Sequence, residues 1–193
     1  MLSEIDFVVV DVETTGWSPD EARITEVGAV RMRSGRVLGE FGCLVDPGMP
    51  VPAGIEALTG ITSQMVAAAP QPADVLPALL NFAGTSVLTA HNAPFDLAFL
   101  TAACGDCGLP WPEFTVLDTV PVARQLLAGG EVPEVPDCKL GTLASFFGAT
   151  TRPCHRALAD ARATAAVLDA MIRRLADRGI RTLDQLGEWL AVA

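Results

Sequence analysis

The chain has 193 residues, half of them hydrophobic and 19% charged, enough apolar material for one sizeable core and too little charge for a disordered chain. Lys and Arg number 13 against 23 Asp and Glu, a formal net charge of −10, which disfavours holding nucleic acid by a basic face or binding an anionic membrane unaided. No apolar run approaches the roughly 18 residues of a spanning helix, the N-terminal MLSEIDFVVVD has acids where a signal peptide has bases, and five cysteines show no disulfide-framework spacing, so a reducing, cytoplasmic setting without membrane contact is expected.

In chain order, residues 5–13 form a β-branched apolar run that predicts a strand buried on both faces. Residues 26–33 and 36–45 alternate around Ser34 and Gly35 and predict a hairpin. Residues 46–54 carry three prolines and two glycines and read as loop. A short helix and turn are expected within 55–68, a longer helix over 72–83 and a strand over 86–90. Pro94 favours a helix opening there. Residues 114–118 predict a short strand and 119–128 a helix. Residues 129–137, rich in Gly, Pro and Glu, are the linker candidate and read as a surface loop. Helices are expected at about 139–147, 156–178 and 182–191. Three strands followed by strands interleaved with helices predict a mixed sheet with helices packed on it, as a single domain over 1–193 with its core at about 5–178.

Several carboxylates fall where apolar patterning leaves little room for charge. Asp11 and Glu13 end the most apolar strand on the same face, about 6–7 Å apart. Like charges at the edge of a core need a cation or hydrogen-bond donors, unless the strand simply ends in solvent there. Asp96 stands in the first turn of its helix, where the dipole favours an acid, yet it shares the inward face of Phe99, Leu100 and Ala103. Asp160 shares a row with Thr164, Val167 and Met171 rather than with the solvated Arg162, Asp169, Arg173 and Asp177. His155 precedes Asp160 by five residues, about 140° away on a helix, so it belongs at the helix start or in the loop after Pro153, leaning toward the same place. His91, at a strand end, suits hydrogen bonding that shapes the turn. Four carboxylates and a histidine meet the needs of a two-metal site: oxygen ligands suit Mg²⁺ or Mn²⁺, and a histidine near neutral pKa can take a proton from water.

The segments VVVDVETTG (8–16), HNAPFDLAFL (91–100) and HRALADARAT (155–164) resemble the three motifs of the DEDDh 3′–5′ exonucleases. Within that group they are most similar to the epsilon proofreading subunits of bacterial DNA polymerase III and their stand-alone relatives. The resemblance spans residue 5 to about 175. It implies a ribonuclease H-like α/β fold with a five-stranded mixed sheet flanked by helices. It implies that Asp11, Glu13, Asp96 and Asp160 bind two divalent cations, Mg²⁺ or Mn²⁺, and that His155 is the general base. Thr14, Thr15 and Gly16 would hold the terminal nucleotide, with Leu58 and Ile61 against its base, Thr59 near its sugar, and His91 and Asn92 also at the substrate. The implied partner is nucleic acid with a free 3′ end, expected as single-stranded or frayed DNA, with a polymerase or fused domain as a further partner.

The D-V-E-T-T-G wording fits the DNA-proofreading relatives better than the D-L-E-M-T-G of oligoribonucleases, which keeps small-RNA exonucleases as the alternative. A catalytically silent module would have lost one of the five positions, and all five are filled. Cys104 and Cys107 have half of a zinc-site spacing without a second close pair, so isolated thiols are the default reading. Trp17, just past the T-T-G turn, either stacks on a base or packs over the strand end.

Overall fold

A computed structural model describes residues 1–128 and 135–192. Five strands form one sheet in the order β3-β2-β1-β4-β5. They are β1 (Phe7–Thr14), β2 (Ile24–Arg33), β3 (Arg36–Leu44), β4 (Val87–Ala90) and β5 (Val116–Asp118). The β1–β2 and β2–β3 pairs are antiparallel, while β4 pairs parallel with both β1 and β5. The mixed sheet expected from the chain is therefore present. Ser34 and Gly35 link β2 to β3 with φ of 52° and 72°, the two positive values that a tight hairpin turn asks for.

The central strand has no wet face, as its run of valines requires. Phe7 and Val9 join one core with α5 (Thr119–Ala128), α6 (Leu140–Phe146) and α7 (Ala157–Asp177). Val8, Val10 and Val12 join the other core, with α3 (Pro72–Ala83) and α4 (Ala93–Asp106). Each fully buried valine contributes about 1.5–3 kcal/mol from desolvation. Asp11 and Glu13 continue the Phe7/Val9 row toward α7, so the period-two pleat delivers both acids to one side of the sheet.

Two short helices, α1 (Ala53–Thr59) and α2 (Ser63–Val66), flank Gly60, whose φ of 70° stops the first. The α1 helix begins two residues inside the segment read as loop, capped only by the backbone after Pro52. The β2 strand also runs two residues longer at its start, because Ile24 pairs with Thr14 across a register shift that skips Thr25, and both Ile24 and Thr25 are buried. The C-terminal α8 (Leu183–Ala191) carries a capping box of Thr182 and Gln185 and packs against α5 through Gln125, which donates to the Trp189 carbonyl at 2.5 Å. Of the linker candidate 129–137, residues 129–134 lie outside the described residues.

One close approach positions everything that follows. The first turn of α7 lies directly on β2 at Gly28, where an added Cβ would sit 2.2 Å from the Ala157 carbonyl carbon. Gly28 is the β2 partner of Asp11. Only a residue without a side chain lets α7 come this near to β1.

Candidate active site

The site lies at the C-terminal ends of the parallel strands β1 and β4, and β1 is the strand at which the sheet changes from parallel to antiparallel pairing, where open α/β sheets leave a crevice. Pairing of β1 with β4 stops at Val9 and Thr89. Beyond that point the Val12 amide has no strand partner on the β4 side, and it donates instead to Asp96 Oδ1 at 3.0 Å. The α4 helix thus inserts a carboxylate where a ladder bond would be. Asp96 is 4% exposed.

Asp160 arrives from the opposite side, in the first turn of α7. Its Oδ1 accepts from the Cys154 amide at 2.8 Å and its Oδ2 from the His155 amide at 3.3 Å. These bonds fold the segment before α7 back on the helix. His155 has φ of 56°, a left-handed conformation uncommon for a residue with a side chain. Its exposed imidazole, Glu13 and Asp160 present ligand atoms that lie within 4.8 Å of one another. Asp11 completes the group, and Asp96 and Asp160 are the two carboxylates that act on it most strongly. A cleft of about 170 Å³ is walled by all five side chains.

Electrostatics single these groups out. Burial raises the Asp11 carboxyl well above the usual range, and Asp96, Asp160 and Glu13 add repulsion. Burial, then Asp160, pushes Glu13 up to about 8. Burial lifts Asp96 to about 7 against the opposing Val12 amide. Burial also raises Asp160, against the amides of Cys154 and His155. Among the described residues no protein group donates a hydrogen bond to the Asp11 or Glu13 carboxylate. Hard, crowded oxygen donors with this deficit of positive charge fit divalent cations of the Mg²⁺ or Mn²⁺ kind.

The residues expected at substrate divide. Thr14, Gly16, Leu58 and Thr59 line the cleft, and Leu58 is 42% exposed there. The Thr14 hydroxyl donates to the Gly16 carbonyl at 2.6 Å, and the Thr59 hydroxyl donates to the Ile55 carbonyl at 2.9 Å, so both shape the walls. Thr15 turns away: its hydroxyl accepts from the Arg23 amide at 2.9 Å. Ile61 is fully buried with Val51 and Val66, which leaves no side-chain surface for a base. The turn at Gly60 explains this, because it rotates Ile61 inward after α1 ends. His91 reaches the cleft wall, with Nδ1 2.8 Å from the Thr119 hydroxyl and Nε2 2.9 Å from the Cys138 carbonyl, so its ring ties the end of β4 to distant segments rather than to its own turn. Asn92 is exposed outside the cleft, and its amide donates to Asp118 at 3.1 Å. Trp17 is 77% exposed at the lip, with its ring 6.4 Å from that of Phe95. Cys104 is buried in the core beside α3, and Cys107 is half-buried nearby.

Sequence patterning passed over Glu26 and Arg156. Arg156 donates from Nε and an Nη to the two Glu26 oxygens at 3.0 and 2.7 Å. Glu26 is an acid inside the apolar run 24–30, the same signal that drew attention to Asp160.

A larger cleft, about 380 Å³, lies between β3 and α7. Its charged groups are already paired, Arg162 with Glu40 and Arg173 with Asp169.

Comparison with known proteins places the chain in a family. The exonuclease family model, RNase_T, matches residues 8–168. A putative bifunctional exonuclease/endonuclease protein of Mycobacterium tuberculosis is 47% identical over 196 residues, covering 98% of this chain and 30% of that protein. A PolC-type DNA polymerase III of Bacillus subtilis is 36% identical over 189 residues, covering 97% of this chain and 13% of the polymerase. The chain therefore spans less than a third of these curated relatives. Among solved structures, exonuclease X in complex with 5′-overhanging duplex DNA has a TM-score of 0.71 at 26% identity, covering 95% of this chain and 99% of that one. Escherichia coli exonuclease I bound to a dT13 oligonucleotide shares the fold, with a TM-score of 0.77 at 22% identity over 96% of this chain and 46% of that one. The sheet and its helices match the ribonuclease H-like exonuclease architecture. A family model spanning most of the chain, and a relative nearly half identical along it, make this protein a member of the exonuclease family.

Proposed function

We propose that this protein is a metal-dependent 3′–5′ exodeoxyribonuclease that hydrolyses single-stranded or frayed DNA from its 3′ end and releases nucleoside 5′-monophosphates. One observation carries the reading: four carboxylates and His155 converge on one cleft, and Arg156, whose guanidinium acts on Glu13, is committed to Glu26. Asp11, Glu13, Asp96 and Asp160 would hold two divalent cations. When bound, such ions supply positive charge for the phosphodiester and lower the pKa of water.

The chain's own residues do the rest. His155 accepts the proton of the attacking water at an imidazole nitrogen. A new oxygen–phosphorus bond forms while the bond from phosphorus to the departing 3′ oxygen breaks, and that oxygen takes its proton from solvent. Leu58 and the exposed Trp17 offer apolar surface to the terminal bases. The turn of Thr14 and Gly16 presents backbone to the last nucleotide. We read residues 1–193 as one exonuclease domain. The PolC-type relatives support an association with a polymerase, and the oligonucleotide-bound neighbours support single-stranded DNA as substrate.

The test is digestion of 5′-labelled single-stranded DNA with Mn²⁺, beside mismatched and paired DNA and matched RNA. A ladder shortening from the 3′ end is expected, and EDTA should abolish it. Early release of the labelled 5′ nucleotide would overturn the direction. Faster loss of RNA would favour a small-RNA exonuclease.

A further inference from the structure

We propose that Glu26 is a positioning residue: through Arg156 and the Ala157 amide, its carboxylate fixes the left-handed backbone at His155 and so holds the imidazole against Glu13 and Asp160. This rests on the reading of His155 as the proton acceptor.

Glu26 lies in β2 opposite Glu13, so it belongs to the same acidic strip. It differs from the four cleft carboxylates in being ion-paired with a guanidinium. Arg156 grips it with a two-pronged guanidinium, and the Ala157 amide donates to Oε2 at 2.8 Å. Ala157 is the first residue of α7, and no side chain of its own segment caps that helix. Glu26 therefore caps α7 from the neighbouring sheet, and the helix dipole strengthens the bond. Glu26 is 7% exposed, which makes its bonds costly to lose.

His155 sits between two such anchors. On its N-terminal side the Cys154 and His155 amides are held by Asp160. On its C-terminal side Arg156 and Ala157 are held by Glu26. A left-handed residue with a side chain persists only when its surroundings fix it. If the Glu26 anchor is removed, His155 can relax toward ordinary φ, and its ring leaves Glu13 and Asp160.

The test compares Glu26→Gln and Arg156→Ala in the parent protein with Glu26→Gln in a His155→Ala background. Gln keeps the size of Glu but sets an amide against the guanidinium. The Arg156 side chain is 42% exposed, and its loss leaves the Ala157 bond in place, so this variant should fold even if the first does not. Each change should lower kcat on a single-stranded oligonucleotide roughly 10- to 100-fold, as small misplacements do. KM and Mn²⁺ affinity should stay unchanged. In the His155→Ala background Glu26→Gln should cost nothing further. The same loss in both backgrounds, full activity, or weakened Mn²⁺ binding would each overturn the proposal. A second readout does not depend on activity. The chain has two histidines, and His91 is held by Thr119 and Cys138 as an internal control. In nuclear magnetic resonance spectra the ring signals of His155 should move or broaden in both variants while those of His91 stay. Unmoved His155 signals would refute the positioning role, whereas an inactive parent protein with shifted signals would refute only the proposed reaction.

Discussion

Asp11 shows how far the site departs from ordinary protein chemistry at the scale of one residue. Its carboxyl is raised by burial first and by four acidic neighbours next, Asp96, Asp160, Glu13 and Glu26. A group whose acid form is favoured in the folded state binds more protons there than in the unfolded chain. Stability then falls as pH rises from the unfolded carboxylate range, near 4, through the folded value. For Glu13, with a folded value of about 8, that window runs from about pH 4 to 8. The metal-free protein should therefore melt at a lower temperature at pH 8 than at pH 5, and Mn²⁺ should reverse the loss. Asp11→Asn removes one of the repelling charges. At pH 8 in EDTA it should melt several degrees above the parent, since about 1 kcal/mol moves Tm by roughly 2–4 °C in a chain of this size. It should also gain less from Mn²⁺. Thermal scans with EDTA and with Mn²⁺ at the two pH values check both statements, and a metal-free Tm that rises with pH would contradict them. His155→Ala should lower the hydrolysis rate by roughly 10²–10⁴ while leaving Mn²⁺-induced stabilisation largely in place. A turnover assay and a melt on the same sample check this.

Elements decide whether such residues can meet. The β1 pleat and the opening of α4 at Pro94 were legible in the sequence, because a buried strand and a helical first turn leave strong local patterns. Asp160 and Asp96 stood out for the same reason, as acids inside apolar arcs. What local pattern could not carry was contact between elements. Ile61 looked available for a base, yet the turn at Gly60 hides it with Val51 and Val66. Glu26 gave the same signal as Asp160, but its meaning depends on an arginine 130 residues away. Gly28 is the sharpest case, since in an apolar strand it reads as a defect. In the folded chain it is the point where α7 touches the sheet. Gly28→Ala should push the first turn of α7 away from β1, because an added Cβ would stand 2.2 Å from backbone atoms that cannot rotate aside. Overpacking of this sort costs about 1–3 kcal/mol. Activity should fall further than stability alone predicts, because Asp160 and His155 move with the helix. Denaturant unfolding beside a turnover assay separates the two, and a stable, fully active variant would show that α7 approaches the sheet differently.

For the whole molecule, charge is the constraint. A chain of net charge −10 repels a polyanion at long range. Among the described residues that wall the cleft, none is Lys or Arg. Proteins that grip DNA by displacing counterions show steep salt dependence, with a slope of about −0.7 for each phosphate contacted on a single strand. On the proposed reading this protein has little with which to make such contacts, so attraction would come mainly from cations bound at the acidic site and from apolar surface such as Trp17 and Leu58. Added monovalent salt would then act in two opposed ways: it screens repulsion from the acidic surface and weakens the few phosphate contacts. A plot of log kcat/KM for a single-stranded oligonucleotide against log salt, at saturating Mn²⁺, should accordingly be shallow, with a slope no steeper than about −2. The footprint should be short, so oligonucleotides of a few nucleotides should be cut nearly as efficiently as long ones. A steep slope together with a strong preference for long strands would mean that a basic track lies outside this cleft, and that the acids at the end of β1 serve chemistry alone rather than capture of the strand.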